Sequence, residues 1–186
     1  MIGFALCGSF CTHEAVLKQL KALIAQGEEI LPIISETVYH TDTRFGKAEE
    51  LCRELTELTG HFPVHTILGA EPLGPQTPLE LLIIAPCTGN TLAKLAQGIT
   101  DTCVCMAAKA HLRCDRPLIL APASNDALSA NLENIAQLLK RKNIYFVPMI
   151  QDDPQKKPHS LVADFSLLES VVAKAREGKQ IRPIFR

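Results

Sequence analysis

The sequence predicts a three-layer α/β fold, Rossmann-like and flavodoxin-like, built on a mainly parallel sheet. Two observations predict it. Short runs that are apolar throughout recur along the chain, as in "LLIIA" at 81–85, and such runs suit strands covered on both faces. Amphipathic runs of helical period separate them, and this alternation implies a parallel sheet layered by helices.

Each element follows from its own pattern. The first strand is expected over Ile2–Cys7. In the helix after it, Val16, Leu20, Leu23 and Ile24 share one face and Gly27 supplies the stop. The second strand covers Ile30–Ile34, and the polar stretch "ETVYHTDTRFG" (36–46) reads as a long loop. A helix with Ala48, Leu51, Cys52, Leu55 and Leu58 on one side ends before Gly60, and Val64–Leu68 is a weaker strand candidate. Next come a strand at Leu81–Ala85, helices at Thr91–Gln97 and Asp101–Leu112, and a strand at Pro117–Ala121. A helix at Ala130–Arg141, a strand at Ile144–Met149 and a helix at Leu161–Glu177 complete the chain, with the polar loop "QDDPQKKPHS" (151–160) before the last helix. No repeat or linker divides the 186 residues, so one domain over 1–186 is expected.

Composition narrows the function classes. Apolar residues make up 47% and charged residues 21%, as in ordinary soluble proteins. A net charge of −1 gives no reason to expect nucleic acid or an anionic membrane as partner. No apolar run approaches the ~20 residues that cross a bilayer, and the N-terminus lacks the basic start of a signal peptide. A cytoplasmic location is expected. The seven cysteines are odd in number and scattered, which suits reduced thiols packing as small hydrophobes. "CVC" at 103–105 has no second pair at ligand spacing, so no metal is expected.

Ligands of open α/β sheets bind beyond the carboxyl ends of the strands. Here the first strand is followed by "GSFCT" (8–12), the second by Ser35, the third by "PCTGNT" (86–91) and the fourth by "PASND" (122–126). Three of these ends run quickly into helices, whose N-terminal N–H groups and partial positive charge favour an anion. Gly8 permits close backbone approach, and Ser9 or Thr12 can donate a hydroxyl to phosphate. Singly, Ser9, Thr12, Thr88 and Asn90 read as helix caps; four such loops on one rim favour a ligand. The dinucleotide pattern GxGxxG and the phosphate-loop pattern GxxxxGK[ST] are both absent, and no acid follows the second strand before Glu36. A mononucleotide with a flat ring, such as FMN, fits these loops better.

The stretch "APCTGNTLAKLAQGITDT" (85–102) resembles the Pro-(Ala/Cys)-Ser-x-Asn-Thr segment of the FMN-binding cysteine decarboxylase family. That group includes phosphopantothenoylcysteine decarboxylase and, more distantly, the flavin prenyltransferases. "PASND" sits where the family has its Pro-Ala-Met-Asn substrate clamp, and "GSFCT" matches its first FMN loop. Further pieces, "TDTRFG" (41–46), "AEPLGP" (70–75), "MAAKA" (106–110), "SNDAL" (124–128) and "QDDPQKKPHS", resemble the branch that serves dipicolinic acid synthesis in sporulation. The resemblance implies an oxidoreductase subunit holding FMN and acting on an aromatic dicarboxylate or its dihydro precursor. It implies a partner, the A subunit, which carries NAD(P), and a trimer-based homo-oligomer.

Carried over by position, the resemblance assigns Gly8, Ser9, Phe10, Ser35, Cys87, Thr88, Asn90, Thr91 and Met106 to FMN. Met106 falls where flavin prenyltransferases have arginine, and Ala123, Ser124 and Asn125 match the clamp. Two departures stand out. The decarboxylases carry a catalytic histidine shortly before the third strand, where this chain has Pro72, so decarboxylation is not expected. The clamp methionine is Ser124, which makes the pocket more polar.

A dianionic ring compound needs cations or N–H donors for its carboxylates. Arg44, Lys156 and Lys157 are the candidates, and His159 in the same late loop is a candidate proton shuttle. Each alone also reads as a solvated surface residue. Cys87 at a helix N-terminus could suggest a nucleophile, but no base accompanies it. Two functions stay open: a subunit whose flavin accepts electrons from the dihydro compound, and one that only binds or channels it. A stand-alone flavin decarboxylase is a weaker third.

Overall fold

Five of the apolar runs form one parallel sheet. The computed structural model describes residues 1–186. Strands β1 (Ile2–Leu6), β2 (Ile30–Ile34), β3 (Leu81–Cys87), β4 (Leu118–Ser124) and β5 (Ile144–Phe146) lie in the order β2-β1-β3-β4-β5. Every pair among them is parallel. All their carboxyl ends therefore open on one edge. The sheet then changes direction, because β4 runs past β5 and its last residues pair antiparallel with β7 (Leu161–Ala163), which pairs with β6 (Met149–Ile150).

Alternation along each strand divides the core in two. Ala5, Cys7, Ile33, Leu82, Ile84, Leu118 and Leu120 face α5 (Gly89–Gln97), α6 (Cys103–Leu112) and α7 (Leu132–Leu139), with the short α4 (Ile67–Ala70) behind α6. Ile2, Phe4, Leu6, Ile34, Leu81, Ile83 and Ile119 face α1 (His13–Ala25), α3 (Ala48–Thr59) and α8 (Leu168–Arg176). Full burial of each such aliphatic or phenyl side chain contributes roughly 1.5–3 kcal/mol, and both sheet faces collect it. The all-apolar strand reading has this origin.

The predicted architecture stands, and several boundaries move. Gly27 and Gly60 end α1 and α3 as expected, each with left-handed backbone (φ +88° and +75°). β3 and β4 run on through Pro86 and Pro122, with a bulge in β3 between Ile84 and Cys87. Val64–Leu68 is not a strand. Val64 alone bridges to Ile33, and Thr66 then caps α4 by accepting from Gly69 N–H at 3.1 Å. The stretch 36–46 is not all loop, since Ser35 starts α2 (Glu36–His40). Pro148, which has no N–H to give a ladder, separates β5 from β6 in the run read as one strand. The last helix begins at Leu168 rather than Leu161, because Leu161–Ala163 is claimed by β4 as β7.

The outer edge of β5 is closed by one side chain. Phe146 N–H donates to Gln180 Oε1 and the Gln180 amide donates back to Phe146 O, both at 2.7 Å. The C-terminal residues lie beside β6, where Met149 N–H donates to Ile184 O at 2.7 Å and Arg186 N–H to Met149 O at 2.9 Å. No helix is long and apolar enough to cross a membrane.

Candidate functional site

The strand-end loops meet on one rim, and hydrogen bonds tie them together. Cys7 N–H donates to Pro86 O at 3.2 Å, joining the first loop to the third. Ser35 N–H donates to Leu6 O at 3.0 Å, joining the second loop to the first. The Cys7 thiol lies 3.3 Å from the Thr91 hydroxyl, which lies 3.1 Å from the Thr88 hydroxyl. The fourth loop closes on the third through Gly89, where an added Cβ would collide with Ser124 Oγ.

Within this rim the structure separates caps from free groups. Thr88 caps α5, its hydroxyl accepting from Thr91 N–H at 3.4 Å, and Ser35 caps α2 by accepting from Val38 N–H at 3.3 Å. Thr12 Oγ1 donates to Ser9 O at 2.8 Å and closes its own turn. Ser9 Oγ and the Asn90 and Asn125 amides have no partner within the chain; Asn90 and Asn125 are exposed and Ser9 half-buried. Gly8 and Phe10 are half-buried beside Ser9.

Cys87 and Thr91 face inward. Both are buried, and burial pushes the Cys87 thiol well above its ordinary value. The neighbouring Cys7 thiol is pushed up to about 12 by the same cause. These sulfurs stay protonated at neutral pH and are poor nucleophiles. Cys87 can offer a ligand only backbone.

The acid after the second strand is also engaged. Glu36 Oε1 accepts from Cys103 N–H at 2.7 Å and so caps the start of α6. It is not free to read a ribose, in keeping with the missing dinucleotide pattern.

Met106 stands apart from the rim. On α6 it lines a cavity of about 90 Å³ with Glu71, Lys109, Ala110 and Arg113, and none of the strand-end residues borders that space. Arg44 is exposed in the turn after α2, its guanidinium 4.8 Å from the Phe45 ring centroid. Pro72 follows α4, its carbonyl accepting from Gly74 N–H at 2.7 Å and Thr77 N–H at 2.9 Å.

The late loop 151–160 joins β6 to β7 and leans on the fourth strand end. His159 O accepts from Leu128 N–H at 2.9 Å, and its exposed ring makes no hydrogen bond. Lys156 is exposed, whereas the Lys157 ammonium is paired with Asp152 at 2.6 Å. Ala123 is buried in β4, and the Ser124 hydroxyl turns onto Asp126.

A groove of about 740 Å³ opens beside the rim and not at its centre. It runs between α1 and α3 and is lined by Phe10, Cys11, His13, Lys18, Phe45 and Lys47 among others, without Asn90 or Ser124. Phe10 and Cys11 link it to the first loop.

Three residues at or beside the rim escape a reading of the sequence. His13 is buried, with Nε2 2.8 Å from Cys7 O, and burial lowers its pKa. It holds the end of β1 as a neutral ring. Asp126 and Asn131 form a hub under Gly89. Asp126 lies within "PASND", but nothing local marks it as the inward-facing member.

The family model for flavoproteins matches residues 65–181. The chain belongs to the flavoprotein family. This flavoprotein is 46% identical over 183 residues to the B subunit of dipicolinate synthase from Bacillus subtilis, covering 98% of this chain and 92% of the relative. The crystal structure of the corresponding B subunit from Bacillus halodurans superposes with a TM-score of 0.91 at 42% identity, covering 100% of this chain and 95% of that one. A more distant likeness is of fold: the FMN-dependent cysteine decarboxylase SpaF, with a TM-score of 0.65 at 24% identity over 94% of this flavoprotein and 95% of that chain.

Proposed function

We propose that this flavoprotein is the B subunit of a dipicolinate synthase and takes part in oxidising dihydrodipicolinate to dipicolinate. FMN is the cofactor proposed, held along the rim by Gly8, Ser9, Phe10 and Asn90, with Ser35, Cys87, Thr88 and Thr91 contributing backbone while their side chains cap helices or face inward. The observation that carries this reading is the set of unpartnered groups, Ser9, Asn90 and Asn125, on loops joined by the Cys7–Thr91 contact and by the close approach of Ser124 to Gly89. Neutral hydrogen-bonding groups at a strand-end crevice, with the one nearby acid already engaged, suit a flat ring better than a ribose-read dinucleotide. When bound, FMN would supply a two-electron acceptor for the dihydro ring.

The chain's own residues bind and orient the substrate. Asn125 and the backbone of Ser124 flank the rim on one side, and the loop bearing Lys156, Lys157 and His159 lies next to them. Lys156 brings an unpaired positive charge to one carboxylate. Arg44, in the turn beside the groove, is the candidate for the other. The proposed partner is a nicotinamide-dependent A subunit, and the proposed setting is the cytoplasm during sporulation, with the flavoprotein assembled as a trimer-based homo-oligomer.

A second reading is favoured by the poverty of bases at the rim. Pro72 has no titratable group, the rim thiols stay protonated, and His13 is committed to Cys7 O. This fits a subunit that binds or channels the ring compound while the partner's nicotinamide carries out the oxidation.

Anaerobic titration separates the two. The purified chain loaded with FMN is expected to lose its visible absorbance as dihydrodipicolinate is added. A chain that takes up no FMN sinks the flavin reading, and one that binds FMN but is not bleached leaves the binding role.

A further inference from the structure

At the end of β4 three elements converge on one carboxylate. The Ser124 hydroxyl donates to Asp126 Oδ1. Asn131 Nδ2 donates to both Asp126 oxygens at 2.9 Å, and Asn134 Nδ2 supports Asn131 by donating to its Oδ1 at 3.0 Å. Asp126 O also accepts from Ser129 N–H and Asn131 N–H, both at 3.0 Å, so the turn into α7 winds on this residue. The hub lies directly under the first residue of α5. A Cβ on Gly89 would collide with Ser124 Oγ and would come within 2.6 Å of Asn131 Nδ2 and 2.9 Å of Asp126 Oδ1.

We infer that Asp126 is a positioning residue that holds the loop ending β4 in fixed register with the start of α5. The two residues it positions are those with free amides. Asn90 follows Gly89, and Asn125 lies between Ser124 and Asp126, both of which are held. The carboxylate acts through Ser124, Asn131 and Gly89. All its observed hydrogen bonds are internal, and its negative charge also suits the α5 N-terminus. Ser124 thus serves more as part of this support than as a free donor to substrate. The inference rests on the flavin reading above, since it makes the Asn90 side of the rim depend on a side chain of the fourth loop.

The donor and acceptor pattern supplies its own test. Asp126→Asn places an amide against the Asn131 amide, and Asn131→Asp places two carboxylates face to face. The exchanged pair, Asp126→Asn with Asn131→Asp, restores one donor group opposite one acceptor group. FMN binding by the full chain is measured for all four proteins, with thermal melting as the fold control. Each single variant is expected to raise the Kd for FMN about tenfold, the scale of one broken hydrogen bond, and the exchanged pair to return within about threefold of the parent. Single variants that melt earlier yet bind FMN like the parent overturn the inference, as does an exchanged pair no tighter than the singles. Should a single variant not fold, Ser124→Ala removes one donor and leaves the charge; FMN affinity is expected to fall, and an unchanged Kd overturns the inference. A parent protein that binds no FMN refutes the flavin reading itself, and that failure is visible before any variant is made.

Discussion

The Cys7 thiol and the Thr91 hydroxyl meet at 3.3 Å across 84 residues of sequence. The contact pins the end of β1 to the first turn of α5, and Thr91 passes the link to Thr88 at 3.1 Å. Two strand-end loops are therefore spaced by a buried thiol–hydroxyl pair. Thr91→Val keeps the shape and removes the shared hydroxyl. It is expected to lower unfolding free energy by about 1–2 kcal/mol and to weaken FMN binding, whereas Thr91→Ser retains most of both. Urea unfolding with a parallel flavin titration measures the two effects.

Gly89 tolerates no side chain. Its missing Cβ leaves the space taken by Ser124 Oγ, Asn131 Nδ2 and Asp126 Oδ1, none of which is the end of a long flexible chain. Gly89→Ala is expected to cost about 1–3 kcal/mol through overpacking, despite alanine's better helix propensity. A urea midpoint equal to that of the parent would contradict the packing described.

His111 makes the fold acid-sensitive. It is fully buried, and its Nε2–H donates to Pro117 O at 2.8 Å while Nδ1 has no partner. Burial lowers its pKa, as it does that of His13. The unfolded chain therefore takes up these protons at higher pH than the folded one does. Their stabilisation is complete above the ordinary histidine value near ~6.5 and drains away as pH falls below it. The urea midpoint is expected to drop between about pH 7 and pH 5, and His111→Gln, which can still donate to Pro117 O, to reduce that drop.

Thiol labelling should follow burial. Cys11 is exposed, Cys114 is partly so, and Cys7, Cys52, Cys87, Cys103 and Cys105 are buried. Burial also pushes Cys7 and Cys103 up to about 12, so little thiolate exists in the folded state. A disulfide reagent at neutral pH is expected to label Cys11 quickly, Cys114 more slowly and the five buried thiols only after unfolding. Fast labelling of Cys87 would revive a nucleophilic role for it.

Periodicity made the layers legible because the two strand faces bury different residues, and a run such as Leu81–Ala85 has no polar side to show. Prolines misled at Pro86 and Pro122, where the chain stays extended and the carbonyl of Pro86 still receives Cys7 N–H. The late strand β7 was hidden inside a helical pattern, since only the antiparallel extension of β4 makes Leu161–Ala163 a strand. At the rim, Ser, Thr and Asn serve equally as caps or as ligand groups. Position in three dimensions assigns Thr88 and Ser35 to capping and leaves Ser9 and Asn90 unpaired. The Asp126 hub depends on α7 meeting α5, a contact that no local spacing records.

The Gln180 side chain acts as a one-residue strand, giving Phe146 both a donor and an acceptor at 2.7 Å. Exposed ladder groups are what recruit foreign chains into sheet-to-sheet association. A single amide here does the work of a gatekeeper. Its loss would be felt less in activity than in shelf life, as turbidity and fibrous deposits in concentrated solution.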